Sequence, residues 1–136
     1  MEQPLEFLKE KIPDFPGYDD DVSRWRSDEL VRSCLGEAVA DLQLRLQPLD
    51  ESLAARAGDL LLRLGFANQS AYKSYEDGAH ATFDLDALVA ADCATVELAE
   101  RAPTVDAAQF PPYLDDITST LDRRDAIMSG KSLAAG

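Results

Sequence analysis

Between Leu49 and Phe66 the polar side chains fall on one narrow line. At about 100° per residue, Ser52, Arg56, Asp59 and Arg63 project within about 60° of one another, and apart from Glu51 the rest of the circumference is apolar. The pattern predicts a helix covered on three sides by the others, with one Ser/Arg/Asp seam left wet. Its apolar surface is sorted by size, with Leu53, Leu60 and Leu64 on one side and Ala54, Ala55 and Gly58 nearly opposite, where a neighbouring helix can approach closely. Asp59 lies three residues after Arg56 and four before Arg63, which suits pairing along the seam. Gly65 followed by Phe66 reads as a left-handed cap that ends the helix.

The same periodicity places elements on either side. Leu5, Leu8 and Ile12 share a face and predict a short helix over Pro4 to Ile12, ended by Pro13. Phe15-Pro16-Gly17-Tyr18 has Pro and Gly in the central positions of a type II turn, and Asp19, Asp20 and Asp21 suit a helix N-terminus. Val22 and Trp25 do not share the later face, so a bend is expected near Ser27, with Ser27-Asp28-Glu29 as a fresh N-cap and first turn. From there Val31, Leu35, Ala38, Leu42 and Leu46 form an amphipathic face that Pro48 stops, while Leu30 and Leu44 point away from it.

Beyond the central segment, Asn68 to Asp77 predicts a short helix with Tyr72 and Tyr75 on one side. Asp84 reads as an N-cap, with Phe83 stapling onto Leu88, and the alanine-rich helix it opens runs to about Ala102 before Pro103. A further turn near Val105 to Gln109 and a corner at Phe110-Pro111-Pro112 precede the last helix, whose face is Leu114, Ile117, Leu121 and Met128, with Gly130 as its end. With no β-alternation and no solenoid repeat, the expected fold is all-α. It is a single-domain irregular helical bundle of four substantial helices and two or three short ones over residues 1–130, in which 1–21 form an N-terminal helix and Pro-rich arm and 131–136 a disordered tail.

Charge narrows the partners. The chain carries 26 acidic and 13 basic side chains and a formal net charge of −13, so its surface repels phosphate backbones and anionic lipid, and nucleic-acid binding is not expected. The imbalance is uneven, net −5 from Met1 to Tyr75 and net −8 from Glu76 to Gly136. No segment is apolar for long enough to span a membrane, and Met1 to Glu10 lacks the apolar run of an export signal, which points to a cytoplasmic address. Cys34 and Cys93 have no CxxC spacing and read as reduced thiols at the flanks of apolar faces.

The familiar catalytic patterns find little support. The single histidine, His80, has no Glu three positions earlier, as a di-iron bundle requires, and two cysteines with one histidine match no zinc spacing. No glycine-rich phosphate loop is present. No metal and no cofactor are expected. One residue resists a purely apolar account: Asp92 projects into the face made by Leu85, Leu88, Val89, Val96 and Ala99. A carboxylate there needs a partner, because an unpaired buried charge costs several kcal/mol. Arg45 beside Ala38 and Leu42, and Arg124 between Ile117 and Met128, both intrude on apolar faces; Arg124 is preferred, since the last two long helices are sequential and pack as neighbours.

The expected function is a protein-protein interaction or adaptor module, homodimeric and open to a basic protein partner, whose surface candidates are Phe15, Tyr18, Leu30, Leu44, Tyr72 and Tyr75. Two alternatives stand beside it. One is an enzyme or small-ligand-binding protein with a polar pocket around Asp92; the other is an acidic decoy of a basic or nucleic-acid-binding protein.

Overall fold

The computed structural model describes residues 2–66 and 84–128. The chain is all-α, and no strand occurs among the described residues. Among the described residues five helices follow in order: α1 (Glu2–Lys11), α2 (Asp21–Leu46), α3 (Glu51–Phe66), α4 (Leu85–Arg101) and α5 (Phe110–Met128), with single 3-10 turns at Ala102–Thr104 and Ala107–Gln109 between the last two. The short helix expected over Asn68 to Asp77, with Tyr72 and Tyr75, lies outside the described residues, as do His80, Phe83, Gly130 and the expected tail. No described helix is long and apolar enough to cross a membrane.

Two differences from the sequence reading matter. The expected bend near Ser27 is absent: α2 is one uninterrupted helix of 26 residues, started by Asp20, whose carboxylate accepts from the Ser23 backbone N–H at 2.7 Å. Ser27 and Asp28 are therefore mid-helix residues, and both are buried. The second difference is the place of α3. It buries Ala54, Ala57, Leu60 and Leu64, but Leu62 and Ala55 face solvent, so it is covered on one side instead of three. The element that gathers the others is α2, which packs on α3, on α4 and on the turn at Ala102–Thr104.

The seam on α3 also works differently from the expected i-to-i+4 pairing. Arg56 reaches across to Asp115 at 2.7 Å, and Arg63 to Asp122 at 2.8 Å and Asp125 at 2.9 Å, so the two arginines tie α3 to α5. The Gln43 side chain of α2 lies over Gly58, where a Cβ would sit 2.9 Å from its Nε2, and donates to the Ala54 carbonyl at 3.2 Å. Gly17 in the arm has φ 91°, a backbone conformation that glycine adopts without strain.

The interior divides into two apolar clusters. One gathers the C-terminal half of α2, α3, the end of α4 and the start of α5 around Leu35, Leu42, Leu46, Leu114 and Ile117. The other gathers α1, the arm, Val31 of α2, the start of α4 and the end of α5 around Leu8, Phe15, Leu88, Val96 and Met128. Cys34 touches both. Within the second cluster sit the buried charges.

Candidate functional site

Three ionisable side chains are withdrawn from solvent together: Asp92 is 0% exposed, Arg124 1% and Asp28 2%. Asp92 comes from the middle of α4, whose alanine-rich turns leave room for a polar side chain among Leu88, Val89 and Val96. Arg124 enters from the last turns of α5, between Leu121 and Ile127. Asp28 arrives from the second turn of α2 because that helix does not bend at Ser27.

The guanidinium of Arg124 is shared between the two carboxylates. Its Nε donates to Asp92 Oδ1 at 2.5 Å and its Nη2 to Asp28 Oδ1 at 2.8 Å. Each carboxylate uses its other oxygen for a second donor: the Tyr18 hydroxyl donates to Asp92 Oδ2 at 2.5 Å, and Arg32 Nε donates to Asp28 Oδ2 at 2.9 Å. Arg32 extends the chain of bonds by donating from Nη1 to the Leu64 carbonyl at 2.7 Å, at the end of α3. Two guanidiniums and two carboxylates balance in charge, and one polar knot links α2, α3, α4, α5 and the arm. One donor is left over, because Arg124 Nη1 has no partner among the described residues. The rigid fork of a guanidinium aims its nitrogens in fixed directions, and two carboxylates positioned for Nε and Nη2 do not reach the third.

Burial sets the electrostatics. It pushes the Asp92 carboxyl above the usual carboxylate range, and the Arg124 guanidinium and Tyr18 hydroxyl pull it back only in part. Tyr18 is raised well above an ordinary phenol, first by burial and then by the adjacent Asp92 carboxylate. The two carboxylates hold Arg124 firmly charged against the cost of its own burial. Both oxygens of Asp92 are engaged and none of its surface is open, so in this conformation it neither accepts a proton from a substrate nor meets a ligand cation. Among the described residues no group of three or more His, Cys, Asp or Glu side chains could hold a metal ion.

The structure thus brings Asp92 and Arg124 together and keeps Arg45 apart from both. Arg45 donates to the Ala102 carbonyl at 2.8 Å and the Val105 carbonyl at 2.7 Å, with its guanidinium carbon 5.4 Å from the Phe110 ring centroid. It gives a second donor to the Ala102 carbonyl, which also accepts from the Val105 N–H, and a donor to the Val105 carbonyl just past the 3-10 turn. The surface candidates separate as well. Phe15 and Tyr18 are buried, in an edge-on pair with centroids 5.7 Å apart, and neither is offered to a partner. A tyrosine under the arm brings its hydroxyl inside, where it must find an acceptor, and Asp92 is that acceptor. Leu30 is half-buried, and Leu44 stands exposed at 66%.

Sequence reasoning missed Asp28, Ser27 and Arg32. The signal was present: Asp28 lies three residues before Val31 and seven before Leu35, on the same helical face, and Ser27 lies four before Val31. Reading a cap at Ser27 interrupted that face and hid the second carboxylate. The Ser27 hydroxyl instead donates to the Gly17 carbonyl at 2.6 Å, and Arg24 Nε donates to the Tyr18 carbonyl at 2.9 Å, so α2 fastens the arm at two points.

No protein-family model matches the chain, and neither a curated protein nor a solved structure does.

Proposed function

We propose that this chain is an interaction module that associates with a second copy of itself through the outer face of the α2–α3 hairpin, and that the buried charges serve its architecture. The observation that carries the reading is that three large apolar side chains of the hairpin are left outside both cores: Leu44 on α2, Leu49 in the connection and Leu62 on α3, each more than half exposed. Exposed apolar groups of this size mark association surfaces when they form one patch. A pocket around Asp92 is not favoured, since the carboxylate is sealed by its own partners. The decoy reading is weakened because Asp115, Asp122 and Asp125, which would serve in an acidic row, are tied to arginines of α3.

Sedimentation equilibrium tests this directly. The expected result is a concentration-dependent dimer that tightens as salt screens the repulsion between two acidic copies. Leu44→Glu with Leu62→Glu is expected to yield a monomer whose stability stays within about 0.5 kcal/mol of the parent, because both side chains are on the surface. A monomer at every concentration and salt level overturns the self-association.

A further inference from the structure

A second surface has a different character. Along one face of α2, Cys34, Glu37, Ala38, Asp41, Leu42 and Arg45 recur at helical spacing and, with the last turn of α4, line an open groove of about 440 Å³. From Cys34 to Arg45 the face runs about 16 Å along the axis, roughly three turns. Its floor is apolar: Ala38 and Leu42 from α2, Ala99 and Ala102 from the end of α4. Its rim carries three carboxylates, Glu37, Asp41 and Glu100, and among the described lining residues one cation, Arg45. Arg45 does not neutralise them, because its guanidinium is committed to the carbonyls of Ala102 and Val105. Glu100 holds Lys11 at 2.9 Å on an exposed edge, and among the described residues Glu37 and Asp41 have no ion-pair partner. Glu37 and Asp41 stand one turn apart, the spacing at which two basic groups project from a facing helix.

We propose that this groove receives an amphipathic helix of a basic partner protein, which seats a bulky apolar side chain over Cys34, Ala38 and Ala99 and sets Lys or Arg groups against Glu37, Asp41 and Glu100. Helix-in-groove recognition uses this division, with apolar anchors for affinity and rim charges for orientation and on-rate. The charge of the rim argues against a second copy of this chain as occupant, since each copy carries a net −13. The inference adds a second surface to the binding role proposed above and rests on that role alone, not on the dimer.

Cys34 makes the groove measurable. Burial, with Glu37 and Glu100 adding to it, pushes its thiol above the ordinary range, so alkylation is best followed at alkaline pH. Cys93, whose thiol donates to the Pro4 carbonyl at 3.3 Å and lies outside the groove, is the internal reference. The probe is a synthetic helical peptide of about fourteen residues with a leucine stripe flanked by lysines, alongside a version with glutamate in place of lysine. At saturating lysine peptide, Cys34 alkylation is expected to slow roughly fivefold or more while Cys93 is unchanged. Glu37→Lys with Asp41→Lys should weaken the peptide about tenfold or more at low salt. Asp86→Lys, about 21 Å away at the other end of α4, should weaken it far less. Ala38→Trp, which fills the floor, should remove binding; the exposed Glu37→Lys gives the same information if the bulkier change impairs folding.

Four results would overturn the inference: no binding of the lysine peptide, binding without protection of Cys34, equal weakening by Asp86→Lys, or equal protection by the glutamate peptide. Protection of Cys34 by raised concentration of the protein alone would overturn it too, by assigning the groove to a second copy. The dimer of the preceding subsection is read by sedimentation without peptide, so either idea can fail while the other stands.

Discussion

The two clusters inside this molecule are built on opposite principles. Around Leu35, Leu42, Leu114 and Ile117 the interior is lined by apolar side chains and, among the described residues, holds no charged group, and the buried Tyr113 hydroxyl within it donates to the Leu98 carbonyl at 2.5 Å. Around Val31, Leu88 and Met128 the interior holds Asp28, Asp92 and Arg124, joined by bonds with fixed directions. Apolar contacts are non-directional and survive small slips between helices. A guanidinium shared between two carboxylates does not. The first half is therefore expected to tolerate small shifts between its helices, and the second to select how α2, α4 and α5 are set against one another.

The largest expected effect breaks the charged half. Arg124→Met leaves Asp92 buried without a cation and Asp28 with Arg32 alone, and should cost about 3 to 5 kcal/mol in denaturant unfolding. Replacing the three charges together, with Arg124→Met, Asp28→Leu and Asp92→Leu, should recover part of that loss, because their desolvation is removed while the Tyr18 hydroxyl and Arg32 lose their acceptors. If Asp92→Asn and Asp92→Leu each leave the thermal midpoint unchanged, the buried pair has no structural role and the comparison fails.

Next in size is the apolar half. Leu114→Ala should cost about 2 to 5 kcal/mol through lost transfer energy and the cavity left behind. It should leave a native state with a single set of side-chain resonances, whereas the uncharged triple variant is expected to show several; a single sharp set in the triple variant would remove the selecting role from the charges.

A smaller effect isolates the arm. Tyr18→Phe deletes one donor to a buried carboxylate and should cost about 1 to 3 kcal/mol. Amide exchange should accelerate first in the arm and in α1, since Tyr18 is their bond to Asp92. Equal acceleration across all five helices would show that the arm is not a separate unit.

The smallest effect is a pH dependence. Burial pushes the Tyr113 hydroxyl up to about 12, above the value of about 10 in an unfolded chain. The folded state then holds this proton more tightly than the unfolded one, so the contribution is fully present below about pH 10 and is lost as pH rises through about 12. Tyr113→Phe should flatten that part of the alkaline limb while costing about 0.5 to 1.5 kcal/mol at neutral pH. An alkaline limb of unchanged slope would refute the assignment.

Much of this was legible along the chain, and the residues say why. Helices α3, α4 and α5 follow from their period, and α4 also from its cap, which is local: Asp84 accepts from the Ala87 N–H at 3.1 Å, within one turn, whereas the left-handed cap expected at Gly65 is not formed, because α3 continues through it to Phe66. Asp92 announced itself as a carboxylate on an apolar face, and Arg124 as a cation on another. The aromatic arm misled, because Phe and Tyr are as common in interface anchors as in cores and the sequence does not say which side of the arm meets protein. Asp28 was hidden by an equally good local reading, in which Ser27-Asp28-Glu29 starts a helix.

By itself, then, the order of residues determined that this protein is helical, where most helices begin and end, and that at least one charge had to be accommodated inside. Those properties depend on interactions within a few residues, where spacing alone decides geometry. Only the tertiary structure decided that α2 runs straight through Ser27, that α3 is covered on one side, and that Arg124 is divided between Asp28 and Asp92 while Arg45 donates to the Ala102 and Val105 carbonyls. Each of those outcomes compares contacts between residues tens of positions apart, and a periodic pattern gives the direction a side chain points without the identity of what it meets.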